Sequence, residues 1–333
     1  MVEQMMDNFS SAFVPLSWAV DVVPQLRYLP GWLPGMGYKK VVRAWYQLNR
    51  AVWDTPFSFV QRQMTARANR PSYVSSLIEK LADDADGKLS IGDENLIKET
   101  AVILYGGGAD TTISTLNSFI LAMLLFPDVQ RKAQKEIDDV IGTGRLPGFE
   151  DRENLPYVSA LVKESLRWFP VLPIGTTHAV DAELTYEGLQ IPKGAYLITS
   201  IWWLLHDPDV YVDPSSFNPS RFLESRDEPD PAKHAFGYGR RICPGRFLAM
   251  ESLYITISRF LAVFDISRAV DDEGRELEIN VEHTQGLISH PTPYPYVIKA
   301  RSAAHEDLIR SIEVDHPWEE SDAQHLDVDA LQI

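Results

Sequence analysis

The stretch Phe236-Gly-Tyr-Gly-Arg-Arg-Ile-Cys-Pro-Gly245, followed at once by the apolar run Arg246 to Val263, decides how this chain is read. Cys243 is the only cysteine among 333 residues. One sulfur excludes an internal disulfide, a disulfide scaffold and a multi-cysteine zinc site. A lone cysteine is ordinarily a small buried hydrophobe. Here it stands just before the start of a helix, where free N–H groups favour an anionic sulfur. The glycines allow a tight turn and close backbone approach to a flat ligand, and Phe236 can cover it. Arg240 and Arg241 offer charge to a ligand's carboxylates. The pattern suits a thiolate held as a metal ligand.

Outward from this segment, the chain reads as helix-rich with minor β structure. Hydrophobic residues make up 45% and charged residues 23%, which is ordinary for a globular protein. Against 31 Lys and Arg stand 47 Asp and Glu, a net charge of −16, so a nucleic-acid partner is not expected. Helices are expected over Val41 to Ala68, Ser72 to Ala82, Asp93 to Phe126 (opened by Ser90 and Asp93), Asp128 to Ile141 and Pro156 to Phe169. Turn signals at Glu187-Gly188 and Pro192-Lys-Gly194 mark a small sheet between His178 and Ser200. Residues 206 to 240 read as an irregular loop and Arg246 to Val263 as a buried helix. The expected plan is one domain over 1–300 and a solvated acidic tail over 301–333, since the last 32 residues hold nine Asp and Glu and one Arg. The longest apolar run, Phe119 to Phe126, is too short for a membrane span. As written, the chain is expected to carry no anchor.

Three further motifs stand out. Gly106-Gly-Gly-Ala-Asp-Thr-Thr112 lies inside the longest helix, where each glycine costs about 1 kcal/mol relative to alanine. Alone it could be a break between helices or a packing notch, and no Gly-Lys-Ser/Thr follows to make a phosphate loop. Glu164-Ser-Leu-Arg167 places a carboxylate and a guanidinium at i, i+3, a spacing common on solvated helix faces. His178 follows that helix, and by itself would be an ordinary surface or core histidine.

Taken together, these residues resemble the cytochrome P-450 (heme-thiolate monooxygenase) family. Its signature F-x-x-G-x-R-x-C-x-G is met by Phe236, Gly239, Arg241, Cys243 and Gly245. Chance would produce that match in roughly one chain of this length in ten thousand. The family's A/G-G-x-D/E-T is matched by Gly107, Gly108, Asp110 and Thr111, and its E-x-x-R by Glu164 and Arg167. Pro219-Ser-Arg-Phe222 resembles P-E-R-F, with Ser220 in place of the acid. Ile191-Pro-Lys-Gly194 and His206-Asp-Pro208 resemble fungal microsomal members.

The resemblance implies a P-450 fold lacking its N-terminal part, because the anchor, the first helices and much of a sheet have no counterpart in this sequence. It implies heme b with Cys243 as axial thiolate on iron, Arg241 and His178 at the propionates, and Phe236 near the sulfur. Asp110 and Thr111 would deliver protons to bound dioxygen at an unwound turn of the helix. Glu164, Arg167 and Arg221 would form a structural cluster locking the Cys243 loop. Ile103, Gly107, Val171, Leu172, Ile174 and Leu287 would line a pocket for a lipophilic substrate such as a terpenoid, polyketide, steroid or fatty acid.

Electrons would come from NADPH through a cytochrome reductase, docked on Arg131, Lys132, Lys135, Arg240 and Arg246. Full-length members are expected at the endoplasmic reticulum membrane; without an anchor this chain is expected to be cytoplasmic or peripheral. The implied activity is insertion of one oxygen atom of O2, within secondary metabolism. The alternative is a truncated, non-catalytic heme-binding remnant. Oxygen-independent isomerase or dehydratase chemistry would not need Asp110 and Thr111.

Overall fold

The computed structural model describes residues 1–14, 17–82, 88–223, 226 and 228–325. Its contacts divide the chain into two compact units, one of Met1–Asp110 with Glu319–Ile333, the other Thr111–Trp318.

The first unit contains α1 (Val2–Ala12), α2 (Ala19–Val22), α3 (Tyr38–Thr65), α4 (Tyr73–Leu81) and the first part of α5 (Ile91–Leu125). Phe57, Val74, Ile78 and Ile97 form its core. Pro56 sits inside α3, where it can give no N–H to the Val52 carbonyl, a loss that costs ~3 kcal/mol in a helix interior. Ser72 caps α4, its Oγ accepting from the Ser75 N–H at 3.1 Å. Ser90 Oγ accepts from the Asp93 N–H at 3.1 Å at the start of α5. α5 then continues unbroken through Gly106–Gly108 to Leu125. The unwound turn implied by the resemblance is therefore not formed, and the glycines are helical.

The second unit packs the rest of α5 against α6 (Pro127–Val140), α7 (Pro156–Trp168) and, after the β region, α10 (Arg246–Val263). Its core joins Phe119, Met123, Ile137, Leu161, Ile257 and Leu261. Proline opens both α6 and α7, a position where its missing N–H is not needed. α7 is also capped from α6, because the two Glu136 oxygens accept from the N–H groups of Tyr157 and Val158, each at 2.9 Å.

The sheet expected between His178 and Ser200 resolves into two separate ladders. β1 (His178–Ala179) pairs with β4 (Tyr196–Leu197), and inside that loop β2 (Leu184–Tyr186) pairs with β3 (Leu189–Ile191). Glu187 and Gly188 both have positive φ, 46° and 81°, the two-residue turn whose twist matches a hairpin. Two short helices follow, α8 (Ile201–His206) and α9 (Ala232–Ala235), and after α10 come β5 (Phe264–Arg268) and β6 (Tyr296–Ala300). Gln130 braces β5 from α6, donating to the Ile266 carbonyl at 2.9 Å and accepting its N–H at 2.8 Å.

Two expectations change. Residues 303–315, read as part of a solvated tail, form α11 (Ala303–Asp315). Its His305 is buried, and Leu308 and Ile309 pack on the core; four acidic residues had masked that apolar stripe. α10 is not buried throughout: its buried residues begin at Leu253, Thr256 and Arg259 are exposed, and Phe247 and Leu248 are 68% and 72% exposed. Among the described residues no single helix is long and apolar enough to cross a membrane.

Candidate active site

The Cys243 loop is built from two left-handed glycines and one locking hydrogen bond. Gly237 and Gly239 have φ of 74° and 59°, a region that side-chain-bearing residues rarely enter. They reverse the chain so that the Cys243 N–H donates to the Phe236 carbonyl at 2.9 Å. Gly245 is the N-cap of α10, which places Cys243 two residues ahead of that cap. Cys243 is a free, half-buried thiol. The Arg246 guanidinium turns back to its carbonyl at 3.2 Å, while Arg240 and Arg241 are exposed.

This donor set fits a heme. A lone thiolate gives iron a single ligand, so iron at Cys243 would take its remaining ligands from a macrocycle. The exposed Phe247 and Leu248, on the turn that follows the thiol, are the apolar surface such a macrocycle would cover. Phe236 is half-buried and packed on the core. His178 is exposed on β1, paired with Leu197 of β4.

Glu164, Arg167 and Arg221 come together, each with a fully buried side chain. Arg167 donates bidentately to Glu164, Nε to Oε2 at 2.8 Å and Nη2 to Oε1 at 2.9 Å. Arg221 Nε and the Asn218 N–H donate to the same Oε1 at 3.0 and 2.7 Å. The remaining guanidinium donors satisfy the carbonyls of Leu205, Val212, Asp213, Pro214 and Ser216. Two arginines thereby fix an irregular segment that has no ladder of its own.

Sequence reasoning missed a fourth member. Glu228 Oε2 accepts from Arg221 Nη1 at 2.6 Å, and the Glu228 N–H donates to the Arg221 carbonyl at 3.0 Å. It supplies the acid that Ser220 lacks and balances two cations with two carboxylates. Burial lowers the Arg221 pKa, but Glu164 and Glu228 outweigh it and hold it above the ordinary value. From Glu228 the chain runs straight to the thiol loop. On the way, the Tyr211 hydroxyl donates to the Pro229 carbonyl at 3.1 Å and Lys163 Nζ lies 2.9 Å from Asp230. His206, stacked on Trp202 with ring centroids 4.6 Å apart, borders this cluster. Burial first, and the Arg167 charge with it, push it down to about 4.

The expected pocket residues fall into two groups. Val171, Leu172 and Ile174 are half-buried on the loop after α7. The Ser289 N–H donates to the Val171 carbonyl at 2.8 Å, and Ser114 Oγ donates to the Ser289 carbonyl at 2.6 Å. Val171, the Leu287–Ser289 segment and α5 one turn beyond Thr111 are thus knit together. Leu287 itself is buried, and Ser289 carried no sequence signal. Ile103 and Gly107 are exposed on α5 in the first unit, and Asp110 and Thr111 are consecutive and half-buried on the same helix.

The three glycines are not equivalent. A Cβ on Gly106 would lie 2.9 Å from Met6 Sδ, whereas nothing lies within 4 Å of one on Gly107 or Gly108. Gly108→Ala is therefore expected to stabilise the protein by about 1 kcal/mol, seen as a higher thermal midpoint. No gain would mean that position 108 is packed as Gly106 is. The basic face on α6 is largely compensated: Arg131 pairs with Asp128, and Lys135 Nζ lies 2.6 Å from Asp139. Lys132 donates to Ser220 Oγ at 3.1 Å. The open basic docking patch is thus reduced.

The family model described as Cytochrome P450 matches residues 1–297. Cytochrome P450 monooxygenase CLM2 of Gibberella zeae is 50% identical over the whole chain, covering 63% of that protein. Multifunctional cytochrome P450 monooxygenase af510 of Aspergillus fumigatus is 46% identical over 98% of the chain and 61% of its own length. O-methylsterigmatocystin oxidoreductase of Aspergillus flavus is 39% identical over 97% of the chain and 60% of its own length. The chain spans about three-fifths of the length of these relatives.

Proposed function

This chain belongs to the cytochrome P450 family, and from that premise we propose that it is a monooxygenase acting on a lipophilic small molecule, with residues 1–300 serving as its heme-thiolate domain. The observation that carries this reading is the Cys243 loop, with its thiol ahead of α10 and its amide tied to the Phe236 carbonyl. Cys243 would hold heme as thiolate, Arg241 and His178 would pair with its propionates, and Phe247 and Leu248 would lie against its apolar edge. When bound, a heme-thiolate supplies activation of dioxygen and cleavage of the O–O bond.

The chain's own residues manage protons. The Thr111 hydroxyl can donate and accept within one site, and the Asp110 carboxylate beside it can take a proton from solvent and pass it on through water. Gly107 and Gly108 keep that stretch of helix clear. Val171, Leu172 and Ile174 would meet the apolar substrate. Electrons would arrive from NADPH through a reductase meeting Arg240 and Arg246.

Thr111→Ala tests the proton role. With heme, reductase and NADPH supplied, product formation is expected to fall on the order of 100-fold while NADPH consumption continues and hydrogen peroxide appears. Unchanged product per NADPH would remove Thr111 from the reaction. The alternative reading, a heme-binding remnant without turnover, predicts neither product nor peroxide from the unsubstituted chain.

A further inference from the structure

We propose that the helical unit of residues 1–110 holds a second small-molecule site, a cavity for a neutral lipophile on the face of α5 opposite Ile103 and Gly107. The cavity measures about 400 Å³ and is walled by Met5 of α1, Trp53 and Phe57 of α3, Val74 of α4 and Ala101 and Val102 of α5. That volume falls in the range of small-molecule pockets, ~300–1,000 Å³, and the lining is of the usual apolar kind.

Helical spacing separates it from the candidate active site. Lys98, Ala101, Val102 and Tyr105 all border the cavity and are related by steps of three and four, so they share one face of α5. Ile103 and Gly107 are themselves four apart and lie about half a turn round the helix. Gly106 sits between the two faces. Its missing side chain lets α1 lie close on α5, since a Cβ there would meet Met6 Sδ at 2.9 Å and Met5 Cε at 3.6 Å. Met5 then continues into the cavity wall, so the glycine notch also sets that wall.

Charge decides the ligand class. The one charged side chain on the wall, Lys98, has its Nζ 2.8 Å from Asp54 Oδ1 and 2.6 Å from Glu94 Oε1. Arg50 Nη2 lies 2.9 Å from Asp54 Oδ2. Two cations face two carboxylates, and the Lys98 ammonium also sits 4.8 Å over the Phe57 ring. An acidic ligand would have to displace Asp54 or Glu94 from Lys98, and a basic one would meet an ammonium. An uncharged apolar molecule meets neither cost.

The probe for this site is N-phenyl-1-naphthylamine, an uncharged lipophile that fluoresces when taken out of water. Titrated into the full chain, it is expected to bind saturably. Ala101→Phe, which fills the cavity, is expected to weaken that binding at least tenfold, and Leu96→Phe, at an exposed position on the opposite face of α5, to leave it unchanged. An unaltered titration in Ala101→Phe, or a loss confined to Leu96→Phe, would overturn the proposal. If Ala101→Phe does not fold, as judged by circular dichroism, Trp53→Phe carries the test. Probe emission sensitised through tryptophan should then drop while binding persists, and undiminished sensitised emission would contradict the site. The outcome does not depend on heme, so it is independent of the monooxygenase reading.

Discussion

Glu164→Gln is expected to destabilise the second unit by about 3–5 kcal/mol, read as a lower denaturant midpoint. The carboxylate accepts three guanidinium hydrogen bonds and one backbone N–H inside a fully buried cluster. A glutamine keeps the volume and loses the charge, which leaves two buried guanidiniums facing Glu228 alone. Uncompensated buried charge costs far more than the ion pair contributes as a whole. Glu228→Gln should cost less, about 1.5–3 kcal/mol, because Arg221 would still be held by Glu164. A Glu164→Gln midpoint within error of the unsubstituted chain, or a larger effect at Glu228, would contradict this account of the cluster.

Phe217→Ala is expected to cost a similar amount, about 3–5 kcal/mol, for a different reason. Phe217 is 2% exposed. Its ring centroid lies 6.0 Å from that of Phe126 and 5.7 Å from that of Trp168, stacked on the first and edge-on to the second. Truncation removes both contacts and opens a cavity that the Glu164–Arg221 cluster, one residue along at Asn218, prevents from collapsing. Trp168 is further fixed by its indole N–H, which donates to the Ser215 carbonyl at 2.9 Å. Phe217→Leu should recover most of the loss. A Phe217→Ala cost below about 1 kcal/mol would mean that the segment repacks freely.

What the sequence showed depended on how local each signal was. The Cys243 loop is contiguous, so its glycines, its thiol and the following helix could be read from ten adjacent letters. The bounds of α10 followed from an apolar run ending at Val263. Glu164 and Arg167 share a helix turn, but their burial could not be read, because a solvated pair has the same spacing. Arg221 entered through resemblance alone. Glu228 was invisible: the expected acid position holds Ser220, and the carboxylate comes from eight residues downstream, where the Glu228 N–H also donates to the Arg221 carbonyl. Gly106, Gly107 and Gly108 are identical letters that only the position of Met6 tells apart. The compensation of Arg131 and Lys135 was legible in principle from Asp128 and Asp139, at i−3 and i+4. In α11, Leu308, Ile309 and Ile312 form a helical stripe that charge content outweighed.

The central claim is ligation of iron by the thiol at position 243. The most direct measurement is the absorption spectrum of the heme-loaded, reduced chain under carbon monoxide. A strongly red-shifted Soret band is expected, and Cys243→Ala should lose it while retaining the far-ultraviolet circular dichroism of the folded protein. A chain that takes up no heme, or a band left in place after that substitution, would contradict it.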